Sequence, residues 1–159
     1  MDYEKLVSVM RKLSLQAGAA IMDIYKRDDS GVETKADDSP VTAADKAADA
    51  IISAGLRAAF PDVMLVTEEQ SATHKARGDN FLIVDPLDGT KEFIHRRGDF
   101  TVNIALVEGG TPTRGIVYAP ARDRMFYTQA DGTSVEETGA MALDTVGPHH
   151  RIQVSQADN

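Results

Sequence analysis

Apolar residues recur at three- and four-residue intervals from the start of the chain. Leu6, Val9, Met10, Leu13, Ala17, Ala20, Ile21 and Ile24 fall on one stripe and predict a helix over 3–26. A polar run then ends it, and residues 30–40, with Gly31 and Pro40, read as a loop or weak hairpin. A second helix is expected from about Thr42 to Phe60, stopped by Pro61, with Ala48, Ile51, Ile52, Gly55 and Ala59 turned inward. After Pro61 the period changes. "VMLVT" (63–67) and "FLIVD" (81–85) are short apolar runs bounded by polar residues, and "FTVNIALVE" (100–108) alternates. "TRGIVYAP" (113–120), "RMFYTQ" (124–129) and "SVEE" follow at hairpin spacing, so an antiparallel meander is expected. Two long helices packed on a mostly antiparallel sheet make the fold class α+β. A domain of 1–150 is expected, with "RIQVS" near the end leading out of it.

Composition narrows the functions. The 159 residues are 42% hydrophobic and 26% charged, which fits a folded chain with a sizeable core. A net charge of −8 disfavours a nucleic acid polymer as partner. It leaves room for a small phosphate ligand, because a bound divalent cation reverses the local field. There is no cysteine, so disulfides, thiolate metal sites and cysteine nucleophiles are excluded. The first residues are charged and amphipathic and no apolar run reaches membrane-spanning length, so a cytoplasmic location is the expectation.

Candidate chemistry sits in acidic residues. Asp45 lies in "SPVTAAD", Glu68 and Glu69 in "TEEQ", and Asp85 and Asp88 in "DPLDGT". Glu68 and Asp85 each follow a strand-like run, so neighbouring strands would bring them to about 5 Å. Pro86 and Gly89 favour a bend that aims Asp85, Asp88 and the Leu87 carbonyl at one point. Carboxylates gathered in this way repel unless a hard cation sits among them, and oxygen ligands select Mg2+, Ca2+ or Mn2+. Each piece also has a plainer reading. "TAAD" resembles a capping box at the start of the second helix, with Asp45 as its acidic member. "EE" reads as a solvated strand end and "DPLDG" as a β-turn. A second "DGT", at 131–133, reads only as a hairpin turn. His74 reads as solvated, and Arg96 and Arg97 as a loop face that an anionic substrate could meet.

Taken together, "SPVTAAD", "TEEQ" and "DPLDGTKEFI" resemble the Mg2+-dependent, lithium-sensitive phosphatase superfamily of inositol monophosphatase. "DGTKEFI" followed by "GDFTVNIALVEGGTPTRGIVYAP" looks like its bacterial 3'(2'),5'-bisphosphate nucleotidase branch. The resemblance implies a layered αβαβα fold, of which this chain carries the N-terminal domain. It implies two or three Mg2+ ions, with Mn2+ as an alternative. Glu68, Asp85, the Leu87 carbonyl and Asp88 become metal ligands. Asp45, Glu68 and Thr90 become the residues that activate water. Glu68, Leu87, Asp88, Gly89 and Thr90 become the surface that meets the substrate phosphate. The implied reaction is in-line attack of water on the 3'-phosphate of adenosine 3',5'-bisphosphate, a step of sulfur assimilation. An inositol phosphate is the alternative substrate. A non-catalytic module that self-associates is the alternative class.

Family members are longer by on the order of 100 residues. Their further part carries a "WD-x-A"-type motif, and this chain has no Trp. Residues 151–159 are therefore expected to begin a C-terminal domain. Weak or absent turnover is expected of the 159 residues by themselves, and a homodimer through the surface that the further part would cover.

Overall fold

The computed structural model describes residues 1–27, 39–75, 77–139 and the backbone of 150–153. Most of the loop expected over 30–40 lies outside the described residues. Helix α1 spans Tyr3–Arg27, and its stripe buries Leu6, Met10, Leu13, Ala17 and Ile21. Helix α2 spans Pro40–Ala59. It starts two residues before the sequence places it. Ser39 is the N-cap, its Oγ accepting from the Thr42 amide at 3.2 Å, and Pro40 takes the first-turn position where a missing N–H costs nothing. The buried face of α2 is also rotated from expectation. Ala44, Ala48, Asp49, Ile52, Ser53 and Leu56 face inward, while Ile51, Gly55 and Ala59 are half-buried. Asp49 and Ser53 are buried because they satisfy each other and their neighbours with hydrogen bonds, which an apolar-residue count cannot register. The two helices approach closely at Gly55, where an added Cβ would stand 2.3 Å from Leu13.

Among the described residues, seven strands form one sheet in sequence order. They are β1 (Met64–Thr67), β2 (Phe81–Asp88), β3 (Thr101–Glu108), β4 (Thr111–Ala119), β5 (Arg124–Thr128), β6 (Ser134–Thr138) and β7 (His150–Gln153). Only β1 and β2 run parallel, joined by a crossover that contains a 3-10 turn at Ser71–Lys75. Every other pairing is antiparallel, so the α+β expectation stands. Alternation sends Leu82, Val84, Val102, Ile104, Leu106, Ile116, Tyr118, Met125, Tyr127 and Val135 into one core with the helices. The other face leaves Ile83, Val117 and Phe126 exposed. Glu137 is fully buried, and Arg11 grips it through two hydrogen bonds of 3.0 and 2.6 Å. The strand-like piece near the end pairs with β6, which puts it on the edge of this sheet; residues 154–159 lie outside the described residues. No helix among the described residues is long and apolar enough to cross a membrane.

Candidate active site

Parallel pairing sets the site. Thr67 on β1 is in register with Val84 on β2, and the Glu68 amide donates to the Val84 carbonyl at 3.0 Å. Glu68 therefore leaves β1 beside the point where β2 delivers Asp85. β2 does not end in a β-turn at Pro86. It continues to Asp88 with an irregular register: Asp85 pairs with Asn103 and Asp88 with Thr101, and Pro86 and Leu87 are skipped. A proline fits there because it has no ladder hydrogen bond to lose. The turn comes one residue later, at Gly89, with φ 90° and ψ 48°. It opens the short helix α3 (Thr90–Ile94), which sequence reasoning missed. Phe93 in α3 packs edge-on against Tyr25 and Phe100, with ring centroids 5.1 and 5.2 Å away. This aromatic trio fixes the turn to the end of α1.

The described geometry corrects one side-chain reading, that of Asp45, and adds contacts to His74 and Arg96, which are exposed as expected. Asp45 is no cap; it lies past the first turn of α2, with Oδ1 buried and without a hydrogen-bond partner. His74 is tied down, with Nε2 2.8 Å from the Thr67 carbonyl. Arg96 stacks on the Tyr25 ring, 3.8 Å from its centroid, and donates to the Tyr25 carbonyl at 2.7 Å. The later "DGT" is a hairpin turn between β5 and β6, closed by Asp131 accepting from the Thr133 amide and hydroxyl.

The structure brings Asp45, Glu68, Glu69 and Asp85 within electrostatic reach of one another. Burial, then Glu69, Asp85 and Glu68, push the Asp45 carboxyl up to about 7. Burial, then Glu68 and Asp88, push Asp85 up to about 7 as well. Glu68 adds to the upward push on Asp85, and Glu69 to that on Asp45, through hydrogen bonding as well as charge. Asp85 Oδ1 is buried and unpartnered like Asp45 Oδ1. Asp88 and Thr90 are exposed beyond them, and the Leu87 side chain is buried. Among the described residues no three carboxylate or imidazole side chains are already closed around one metal position. The donor set nevertheless fits a hard cation: unpartnered carboxylate oxygens, acceptors only, held together against their own repulsion.

The sign of the pH dependence follows. Both carboxyls bind a proton more tightly in the folded chain than in the unfolded one, where they titrate near 3.8. Their contribution to stability is therefore full at low pH and is lost as pH rises from about 4 to 7. Glu108 and Asp131, whose carboxyls are lowered by hydrogen bonds from Thr113 and Thr133, act in the opposite sense and below that window. Thermal melts with EDTA should show Tm falling across this range. Added Mg2+ should raise Tm most at the upper end, where the carboxylates are charged.

Comparison with known proteins bears on the fold and the family. The inositol monophosphatase family model matches residues 2–159. A protein named 3'(2'),5'-bisphosphate nucleotidase CysQ, from Escherichia coli strain K12, is 48% identical over 149 residues, 92% of this chain and 57% of that one. A histidinol-phosphatase from Streptomyces coelicolor is 35% identical over 159 residues, 98% of this chain and 57% of that one. The crystal structure of CysQ from Bacteroides thetaiotaomicron, a bacterial member of the inositol monophosphatase family, superposes with a TM-score of 0.80 at 31% identity. It covers 99% of this chain and 60% of the other. The chain thus spans little more than half the length of the curated relatives it matches. Phosphatases of this family are generally metal dependent. With its helix pair, mixed sheet and matched residues, the chain belongs to the inositol monophosphatase family.

Proposed function

We propose that this chain is the metal-binding part of a Mg2+-dependent phosphomonoesterase that removes the 3'-phosphate of adenosine 3',5'-bisphosphate, giving AMP and phosphate. The observation that carries the reading is the pair of buried, unpartnered carboxylate oxygens, Oδ1 of Asp45 in α2 and Oδ1 of Asp85 in β2. Glu68, Asp85, Asp88 and the Leu87 carbonyl would hold the cation; the register that skips Leu87 supports its carbonyl as a free acceptor. Bound there, Mg2+ supplies positive charge for the phosphate oxygens and acidifies water. The chain's own groups do the remaining work. Glu68, Asp45 and the Thr90 hydroxyl orient the attacking water and accept its proton. Gly89 lets the backbone turn beneath the phosphate. The bond broken is the one from phosphorus to the 3'-oxygen, which leaves with a proton.

The CysQ relative supports the nucleotide substrate. The relative named histidinol-phosphatase and the inositol monophosphatase family match support keeping an inositol phosphate as the second reading. On the leading reading, the metal-binding domain runs through β7, past the boundary expected at 150, the residues after it lead to a further domain, and the 159 residues by themselves turn over weakly. The exposed Ile83, Val117 and Phe126 support a homodimer through that sheet face when nothing else covers it. The test compares phosphate release from adenosine 3',5'-bisphosphate and inositol 1-phosphate, with Mg2+, by a protein of the relatives' full length. Faster release from the nucleotide is expected. Preference for the inositol phosphate would overturn the substrate assignment.

A further inference from the structure

One buried carboxylate stands apart from the cluster. Asp49 lies one turn after Asp45 on α2 and is 6% exposed. Its Oδ1 accepts from the Thr67 hydroxyl at 2.5 Å and from the Ser53 hydroxyl at 3.1 Å. Its Oδ2 accepts from Gln70 Nε2 at 2.8 Å. Thr67 and Gln70 are the two residues that bracket Glu68 and Glu69. The Gln70 amide has a fixed sense, because its Oε1 accepts from Arg57 at 2.8 Å and so turns Nε2 toward Asp49. Farther out, Thr73 and His74 bond the Thr67 backbone. The Thr73 hydroxyl also reaches the Gln70 carbonyl at 2.6 Å, so it holds the backbone at both ends of the Glu-Glu pair from the half-buried side, while the buried Asp49 grips both side chains from the core.

We propose that Asp49 is a positioning residue: by holding Thr67 and Gln70 it fixes the direction in which Glu68 and Glu69 face Asp85, Asp45 and a cation. The inference rests on the proposed cation site. The alternative is that Asp49 merely fastens α2 to β1.

A donor–acceptor swap separates the two. In Asp49→Asn the amide leaves a donor facing a donor whichever way it turns. Either it meets the Gln70 amide, or it meets the two hydroxyls and the fully buried Thr67 hydroxyl loses its acceptor. In Asp49→Asn/Gln70→Glu the pattern is restored with charge conserved: the Asn amide donates to Glu at position 70, which still accepts from Arg57.

Two readouts apply to the 159-residue chain. Amide hydrogen exchange at Glu68 and Gln70, without metal, reports the loop. Calorimetric titration with Mg2+ reports the site. The single variant should exchange faster at both amides and bind Mg2+ about 10-fold more weakly, the scale of losing an outer-shell partner. The double variant should recover both. A single variant that melts earlier yet keeps wild-type exchange and Mg2+ affinity would overturn the proposal. If the single variant does not fold, the double variant decides: folded with wild-type affinity supports the proposal, folded without it overturns it. A wild-type chain that binds no Mg2+, with the amides still loosened by Asp49→Asn, would sink the cation site and leave the anchoring in place.

Discussion

Asp85→Asn should bind Mg2+ at least about 100-fold more weakly than wild type, beyond what outer-shell losses cost, and yet unfold at a higher temperature when no cation is present. Most substitutions at half-buried positions destabilise, so the second effect is the diagnostic one. The Asp85 carboxylate is pushed up to about 7 by burial and by Glu68 and Asp88. Above that pH its charge opposes folding. Asn removes the charge and keeps the size. Its carbonyl can still accept from the Leu87 amide, as the carboxylate does now. Its amide gives Glu68 a donor where Asp85 gives it repulsion. Solvent screening limits the gain, since the group is only half-buried, and a rise of a few degrees is expected. Melts at pH 8 with EDTA, together with Mg2+ titration, check both halves. A lower Tm with unchanged affinity would mean that Asp85 is a structural acceptor and nothing more.

Gly89→Ala should destabilise the chain by about 3 kcal/mol, a left-handed backbone penalty combined with overpacking. Gly89 has φ 90°, and an added Cβ would stand 3.1 Å from the Phe100 Cα and 3.4 Å from the Asp99 carbonyl oxygen. Those are main-chain atoms beside a fully buried Phe100, so they cannot move aside. Relief must come from the turn itself, which would redirect Asp88 and Thr90. The other "DGT" provides the control. Gly132 also has φ 90°, but its nearest neighbour would be an Arg114 nitrogen at 3.9 Å. Gly132→Ala should therefore cost only the backbone part, about 1 kcal/mol. Chemical denaturation of both variants tests the contrast, and equal losses would refute it.

The two triplets show how far the sequence could be read. Strand-forming runs and turn residues are local, so the meander and the hairpin at 131–133 were legible. So was the meeting of Glu68 and Asp85, because both follow apolar runs and the parallel pair brings those ends together. The extension of β2 through Pro86 was not, since a proline in a strand depends on the register of its partner. Asp45 looked like a helix cap because Thr42 stands three residues before it; Ser39 holds that position, and Asp45, its Oδ1 without a partner, is left among the other carboxylates. Asp49 carried no local signal at all. Its partners Thr67 and Gln70 lie 18 and 21 residues away, and only the packing of α2 on β1 unites them. The contact of Arg96 with Tyr25 was hidden for the same reason, the two being 71 residues apart.

The central claim is that Asp85 and Glu68, with the Leu87 carbonyl, form a cation site at the ends of β1 and β2. Anomalous diffraction from crystals of the chain soaked in Mn2+ tests it most directly, because manganese reports its own position. The account predicts an anomalous peak bounded by the Glu68 and Asp85 carboxylates and the Leu87 carbonyl oxygen, absent from Asp85→Asn. A peak elsewhere, or one that survives that substitution unchanged, would contradict it.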